Sequence, residues 1–123
     1  MTDADRELLE RADAVKTKAY APYSEFFVGC AVRTRDGRVF EGVNVENAAY
    51  PLGVCAEKTA LGAAASAGVR PGDVEVLAVT VSPCGGCRQW FHEFAVDRVV
   101  YRRADGEIAV TTPDELLPDM FDL

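Results

Sequence analysis

The sequence predicts an α/β fold, a three-layer α/β/α sandwich around a five-stranded mixed sheet. Segments of helical and of strand character follow one another in the order α-β-β-α-β-α-β-β-α. A helix separates the third strand from the fourth, which predicts a right-handed crossover and a parallel strand pair. With 123 residues, of which 49% are hydrophobic and 27% charged, the chain can bury one core, so residues 1–123 are expected to form a single domain.

The N-terminal third of the chain predicts a helix followed by a β-hairpin. Apolar residues recur at every third or fourth position over residues 3–20, as on one face of a helix. Two segments rich in β-branched and aromatic residues, 26–35 and 38–45, flank the turn dipeptide Asp36-Gly37 and predict antiparallel strands. Cys30 lies in the first strand among apolar neighbours and is interpreted as a core residue.

The rest of the chain alternates helices with strands. Residues 55–67 are rich in Ala and Leu and predict the second helix, whereas residues 74–81 are almost all apolar, as in a strand covered on both faces. Ser82 is a good N-cap and Pro83 suits a first helical position, so the third helix is expected over residues 84–96. The remaining predicted elements are strands over 97–102 and 108–111 and a short helix that opens at 112–115 and runs through Leu117.

Composition and charge exclude several classes of partner. Thirteen Lys and Arg against twenty Asp and Glu give a net charge of −7, which argues against a nucleic acid. No segment has the roughly 18 apolar residues of a membrane span, and residues 1–10 lack the character of a signal peptide. The chain is therefore expected in the cytoplasm, where cysteines bind metals or lie buried more often than they form disulfides.

Three of the four cysteines fall where a helix is predicted to begin. Cys84 and Cys87 are three residues apart, so their sulfurs lie on one face of a helical turn and can bind one ion. Cys55, at the start of the second helix, can supply a third sulfur. Three ligands leave one position of a tetrahedral zinc ion open for water, and Glu57 is placed to shuttle protons for that water. The pattern therefore predicts a catalytic zinc centre.

The same cysteines have other interpretations. Residues 84–87 alone have the spacing of a redox dithiol, and a closed structural zinc site would need a fourth ligand. His92, the single histidine, lies five residues beyond Cys87 and is interpreted as a surface or packing residue. Lys58 and Arg88 are expected near the sulfurs, because three thiolates leave a zinc site with net negative charge.

Longer segments around these cysteines resemble the small homotetrameric cytidine deaminases, and the resemblance extends from about Tyr23 to Phe121. The segments that carry it are 43–48 (VNVENA), 50–57 (YPLGVCAE) and 82–89 (SPCGGCRQ).

The resemblance implies the hydrolysis of cytidine and 2′-deoxycytidine to uridine and 2′-deoxyuridine, a reaction of pyrimidine salvage. One zinc ion per subunit, held by the three cysteines, would activate the water that attacks C4 of the cytosine ring. Glu57 would carry the protons, first to N3 of the ring and then to the leaving ammonia.

The resemblance also implies a set of residues that contact the nucleoside. Some belong to the subunit that holds the zinc and others come from neighbouring subunits, which would make the homotetramer part of the active site. They are Asn44 and Glu46 for the ribose 3′-hydroxyl, Phe26 for packing on the nucleoside, Ala48 and Tyr50 at the ribose end, and Phe121 for stacking on the base across an interface.

Two rival functions remain compatible with the sequence. A deaminase of a cytosine-containing antibiotic of the blasticidin S type would share the zinc motifs, and the short connection 79–82 suits it, although Asn44 with Glu46 favours a free ribose. A zinc-binding oligomeric module without catalysis is the other, because Lys58 follows Glu57 where related enzymes usually carry Arg.

Overall fold

The structure, a computed structural model, describes all 123 residues. Its sheet has five strands, β1 (Gly29–Thr34), β2 (Val39–Val43), β3 (Val74–Val79), β4 (Arg98–Arg102) and β5 (Ile108–Thr111). They are arranged in the order β2-β1-β3-β4-β5. The pair β3 and β4 is parallel and the other three neighbouring pairs are antiparallel. The predicted five-stranded mixed sheet and its parallel crossover are confirmed.

Helices cover both faces of this sheet. They are α1 (Asp3–Val15), α2 (Ala56–Ser66), α3 (Gly85–Glu93) and α4 (Pro113–Leu116), with 3₁₀ turns at Lys16–Lys18 and Tyr50–Leu52. α1 packs on one face through a buried cluster that includes Leu8, Leu9 and Val100, and α2 and α3 pack on the other through a cluster that includes Leu61 and Phe91. The three-layer prediction is confirmed. None of the helices is long and apolar enough to span a membrane.

Glycines allow two helices to lie unusually close to the sheet. A Cβ on Gly29 would lie 2.0 Å from the carbonyl oxygen of Ala12 in α1. On the opposite face, a Cβ on Gly42 would lie 2.3 Å from the backbone nitrogen of Ala60 in α2. Thr59 of α2 adds a hydrogen bond from its hydroxyl to the carbonyl of Val43, at 2.8 Å. These contacts fix the first half of α2 against β2.

Cys30 is fully buried in the cluster between the sheet and α2, as predicted for a core residue.

The first helix is shorter than predicted. It ends at Val15 with one 3₁₀ turn beyond it, whereas the apolar spacing had suggested a helix to residue 20. The reason lies far along the chain: Tyr20 donates its N–H to the carbonyl of Asn44 and accepts from the N–H of Glu46. Tyr20 therefore pairs as an extended residue with the segment that follows β2.

The first strand also begins later than predicted, at Gly29 and not at residue 26. The side chain of Asn44 accepts from the N–H of Val28 at 2.8 Å and donates to the carbonyl of Phe26 at 2.8 Å. These side-chain bonds interrupt regular ladder pairing at residues 26–28, although the N–H of Asn44 still donates to the carbonyl of Val28 at 3.3 Å.

The predicted N-cap of the third helix is wrong by two residues, and the helix spans Gly85–Glu93 rather than residues 84–96. Cys84, with extended backbone angles, is the N-cap, and its carbonyl accepts the first helical bond from Arg88. Ser82 is therefore not the N-cap, and Pro83 precedes the helix. The carbonyl of Pro83 accepts from Nε of Arg88 at 3.0 Å, which keeps this residue outside the helical turn.

One buried carboxylate holds α1 to the strands. Asp5 is 1% exposed and accepts hydrogen bonds from Arg33 of β1 and from Arg98 of β4. Burial raises its pKa, but the hydrogen bonds with Arg98 and Arg33 outweigh that effect, and the pKa of Asp5 falls to about 2. Arg98 thus forms an ion pair with Asp5, and Arg102 forms one with Asp13.

Asp5→Asn should lower the free energy of unfolding by about 2 kcal/mol near neutral pH. The folded pKa lies below the unfolded one, so the stabilisation is present above about pH 4 and is lost as the pH falls towards about 2. Urea unfolding over this range should show the two proteins converging at acid pH. Asp13→Asn, on the same helix but more exposed, should change stability by less than about 1 kcal/mol. A difference that does not depend on pH would contradict this interpretation.

Gly42→Ala should destabilise the protein by about 3 kcal/mol or more, because the added methyl group meets the backbone of α2. Gly62→Ala is the matched control, since no atom lies within 4 Å of a Cβ at that position of α2. It should raise stability by about 0.5 to 1 kcal/mol, as expected for Ala in place of Gly in a helix. Thermal unfolding measures both, and equal effects would refute the close-packing argument.

Candidate metal centre and substrate pocket

Three cysteine sulfurs meet where two helices begin. Cys55 is the N-cap of α2, Cys84 is the N-cap of α3, and Cys87 lies in the first turn of α3. The three Sγ atoms lie within 4.8 Å of one another, and those of Cys55 and Cys84 are 3.8 Å apart. The carboxylate of Glu57 is not part of this cluster of possible ligand atoms. The structure thus brings together the three residues that the sequence predicted as metal ligands.

The cluster fits one zinc ion. Zinc binds thiolate sulfur at about 2.3 Å, and two ligands at a tetrahedral angle are then about 3.8 Å apart. The separation between Cys55 and Cys84 has this value. Cys30 is buried elsewhere in the core and does not belong to the cluster, so no fourth cysteine closes the site. Three sulfurs with an open fourth position are the ligand set of a catalytic zinc centre rather than a structural one.

The pKa values of the three thiols depend on their surroundings in the protein. Burial raises the pKa of Cys55, and burial together with the charge of Glu57 raises that of Cys87 well above its usual value. The pKa of Cys84 is lowered: burial opposes the shift, but the Cys87 N–H and the neighbouring thiols outweigh it. Two of the three thiols are therefore held in the neutral form by the protein alone. A divalent cation would stabilise all three thiolates, and the N–H groups at the two helix N-termini would help it.

Glu57 lies beside the sulfurs in a buried position. It is in the first turn of α2 and only 2% exposed. Burial raises its pKa, while its own backbone N–H, Cys87 and the charge of Lys58 act in the opposite direction. A carboxyl group with a raised pKa next to an open metal position can accept and release protons near neutral pH.

Lys58 reaches from α2 to the first turn of α3. Its Nζ lies 3.9 Å from the position that a Cβ on Gly86 would occupy, so the ammonium lies beside the turn between Cys84 and Cys87. A positive charge at this point can offset the charge of the thiolates, although as a single ammonium rather than as a planar fork of donors.

Arg88 makes its hydrogen bonds elsewhere. Its guanidinium donates to the carbonyls of Pro83 and Leu116 and, at 3.4 Å, to the hydroxyl of Ser82. Arg88 thus stabilises the connection between β3 and Cys84. Its expected effect on the charge of the sulfurs stays a prediction.

A cavity of about 350 Å³ opens next to the sulfurs. This volume lies within the range of small-molecule sites. Apolar side chains form most of its wall, and Glu57, Cys55 and Cys84 lie at one end. Of the residues predicted from the sequence, Phe26, Asn44, Glu46 and Tyr50 also line it. Four further residues line the cavity, for which the sequence predicts no contact with a substrate: Val28, Val54, Val81 and Ser82. They lie at the ends of strands and in connections, and no sequence motif marks them as pocket residues.

Asn44 and Glu46 also hold the loop that forms the pocket rim. Asn44 bonds to the backbone of residues 26 and 28, and the carboxylate of Glu46 accepts from the N–H groups of Tyr23 and Ser24 and from the Ser24 hydroxyl. These hydrogen bonds lower the pKa of Glu46, the bond with the Ser24 hydroxyl most of all. Contacts of Asn44 and Glu46 with a ribose stay predictions, and Phe26, held by Asn44, presents a half-exposed ring at the cavity.

The residues expected to serve a neighbouring subunit lie on the surface of the chain. Tyr50 is 78% exposed and Phe121 is 69% exposed, and Ala48 is exposed as well. Ala48 and Phe121 do not line the cavity of their own chain, whereas Tyr50 does, and the contribution of Tyr50 to a neighbouring subunit stays a prediction. His92 is half-buried on α3, outside the sulfur cluster, and its Nε2 lies 3.8 Å from a carboxylate oxygen of Asp122.

Residues 2–103 match the family described as the cytidine and deoxycytidylate deaminase zinc-binding region. The chain is 44% identical to a cytidine deaminase of Halalkalibacterium halodurans, over 95% of this chain and 94% of the relative. It is 33% identical to a blasticidin-S deaminase of Bacillus cereus, over 96% of this chain and 92% of that protein. Among solved structures, the cytidine deaminase from Burkholderia pseudomallei superposes with a TM-score of 0.89 at 48% identity, covering 98% of this chain and all of the other.

Cys84→Ala should weaken zinc binding by more than about 100-fold. Loss of a residue that only hydrogen-bonds to a metal ligand already weakens binding by about 10- to 100-fold, and loss of the ligand itself should have a larger effect. Cys30→Ala is the matched control and should retain one zinc ion per chain, since Cys30 lies outside the sulfur cluster. Competition with a chromophoric chelator measures both affinities. Equal retention of zinc by the two variants would contradict the ligand assignment.

Proposed function

The chain belongs to the family of zinc-dependent cytidine and deoxycytidylate deaminases, and on this premise we propose that it hydrolyses cytidine and 2′-deoxycytidine to uridine and 2′-deoxyuridine. The observation that carries the proposal is the three-sulfur cluster, with an open fourth position, at the end of a nucleoside-sized cavity beside a buried carboxyl group. The reaction consumes one water and releases one ammonia.

Bound zinc, held by Cys55, Cys84 and Cys87, supplies the lowered water pKa that hydrolysis near neutral pH requires. Glu57 provides the proton transfers. Its carboxylate accepts a proton from the attacking water and delivers it to N3 of the cytosine ring. It then takes the remaining proton of the hydroxyl group added at C4 and delivers it to the amino group, which leaves as ammonia as the C4 carbonyl forms. The buried position of Glu57 supports this role, because burial raises its pKa above that of an exposed carboxyl group and so favours proton acceptance.

The lining of the cavity supports a nucleoside rather than a nucleotide as substrate. None of its 14 residues is a lysine or arginine, and Glu46 and Glu57 are acidic. A 5′-phosphate would therefore find no cation from this chain and would face two carboxyl groups. Phe26 and the valines of the wall suit the faces of a pyrimidine ring, and Asn44 and Glu46 lie where hydroxyl groups of a ribose could bond.

A homotetramer with shared active sites is part of the proposal. Large hydrophobic side chains are exposed around the cavity, among them Tyr50, Leu52 and Phe26 at 78%, 68% and 58%. Such a concentration is typical of a surface covered by another chain. Ala48, Tyr50 and Phe121 would then complete the pocket of a neighbouring subunit. The location in the cytoplasm stays a prediction from the sequence.

Glu57→Gln should reduce kcat for cytidine by about 10²- to 10⁴-fold, because the amide cannot carry protons. Zinc content should not change, since Glu57 is not a ligand. The ultraviolet absorbance change from cytidine to uridine measures turnover. Glu107→Gln, on the exposed turn before β5, is the matched control and should keep wild-type activity. Near-normal turnover by Glu57→Gln would rule out the proton-shuttle role.

A substrate panel on the wild-type protein separates the rival functions. Cytidine and 2′-deoxycytidine should give a higher kcat/KM than blasticidin S or deoxycytidine 5′-monophosphate. A preference for blasticidin S would indicate the antibiotic deaminase, in line with the 33% identity to one such enzyme. Zinc-loaded protein that deaminates none of the four would instead be a binding module without catalysis.

A further inference from the structure

The C-terminal segment is attached to the helix that carries two of the zinc ligands. The side-chain amide of Gln89, on α3, makes two hydrogen bonds with the backbone of Phe121. Its Nε2 donates to the Phe121 carbonyl at 2.8 Å, and its Oε1 accepts from the Phe121 N–H at 3.3 Å. The amide of Gln89 therefore pairs with this residue as a neighbouring strand would.

Two further contacts of α3 flank this pair. Arg88 donates from Nη1 to the carbonyl of Leu116 at 2.9 Å, just before the segment begins. His92 lies 3.8 Å from the carboxylate of Asp122, just after Phe121. Of these contacts, only the Gln89 pair is made by hydrogen bonds to the C-terminal segment itself, because Leu116 belongs to α4 and the contact between His92 and Asp122 is longer than a hydrogen bond.

The segment has little else to keep it in one conformation. Residues 117–123 form no helix or strand, and Asp119 adopts a left-handed backbone conformation with φ 52°. Segments without regular secondary structure are mobile unless specific contacts hold them, because ordering each residue reduces its backbone entropy. The ring of Phe121 is 69% exposed and does not anchor the segment in its own chain.

We propose that Gln89 is a positioning residue that fixes the backbone of Phe121 so that its ring points away from its own subunit in a single orientation. The inference rests on the proposed function, in which this ring enters the pocket of a neighbouring subunit and stacks on the base. A ring that is ordered before the substrate arrives binds at lower entropic cost than one on a mobile chain end. Gln89 would therefore act on substrate binding in another subunit, without touching substrate itself.

The test compares Gln89→Ala, Phe121→Ala and the double variant in steady-state kinetics with cytidine. Gln89→Ala should raise KM by about tenfold and leave kcat within about twofold, because it weakens a binding contact but not the chemistry. If Gln89 acts through Phe121, its replacement should have no further effect in the Phe121→Ala background. Glu93→Ala, at an exposed position of α3, is the matched control and should behave as wild type.

Hydrogen exchange provides a readout that does not depend on activity. The Phe121 amide should exchange faster in Gln89→Ala than in wild type, while the amides of α3 remain unchanged.

The outcomes are distinguishable. A wild-type protein that deaminates no nucleoside refutes the proposed function and with it the positioning role. Turnover by wild type with an unaffected Phe121→Ala variant overturns the role of the ring, and hence that of Gln89. If Phe121→Ala is impaired but Gln89→Ala is not, or if the two effects multiply in the double variant, then Gln89 does not act through Phe121 and the inference is wrong.

Discussion

The site depends on the meeting of two helix N-termini at one point. Cys55 caps α2 and Cys84 caps α3, and only their proximity brings the three sulfurs within 4.8 Å of one another. Two packing features produce this proximity. α3 connects the parallel strands β3 and β4, which places its start at the end of β3, and α2 lies against β2 at a distance that only Gly42 permits. The metal centre is therefore a property of the whole sheet and not of any one loop.

Burial and charge then determine the protonation states of the three thiols and of Glu57. Burial alone favours neutral thiols at Cys55 and Cys87 and a neutral carboxyl at Glu57. A divalent cation would reverse the balance for the sulfurs, and Glu57 lies beside them without being one of the ligand atoms. Cys55 is therefore a proposed metal ligand, whereas Glu57, two residues further along the chain, is the proposed proton carrier and not a ligand. Lys58, which extends across to Gly86, adds positive charge on the side of α3.

The sequence was sufficient for the chemistry of the site and for the layers of the fold, because both are encoded by local spacing. Cys84 and Cys87 reveal their common face by their separation, and the helix between two apolar strands reveals the crossover. The misplaced boundaries have a different origin. The end of α1 and the start of β1 are set by hydrogen bonds of residues 20–28 with the distant segment 44–46. The start of α3 is set by the side chain of Arg88, which holds the carbonyl of Pro83. Gln89 lies in a segment that carried the family resemblance, yet its pairing with Phe121, 32 residues away, has no local signature.

The proposed site is a zinc centre with three sulfur ligands and one open position. Zinc K-edge X-ray absorption on the wild-type protein measures the ligand set directly. We expect three sulfur atoms at about 2.3 Å from the zinc ion and one lighter atom, the oxygen of a water, at about 2.0 Å. A shell of four sulfurs, or one with fewer than three, would contradict it.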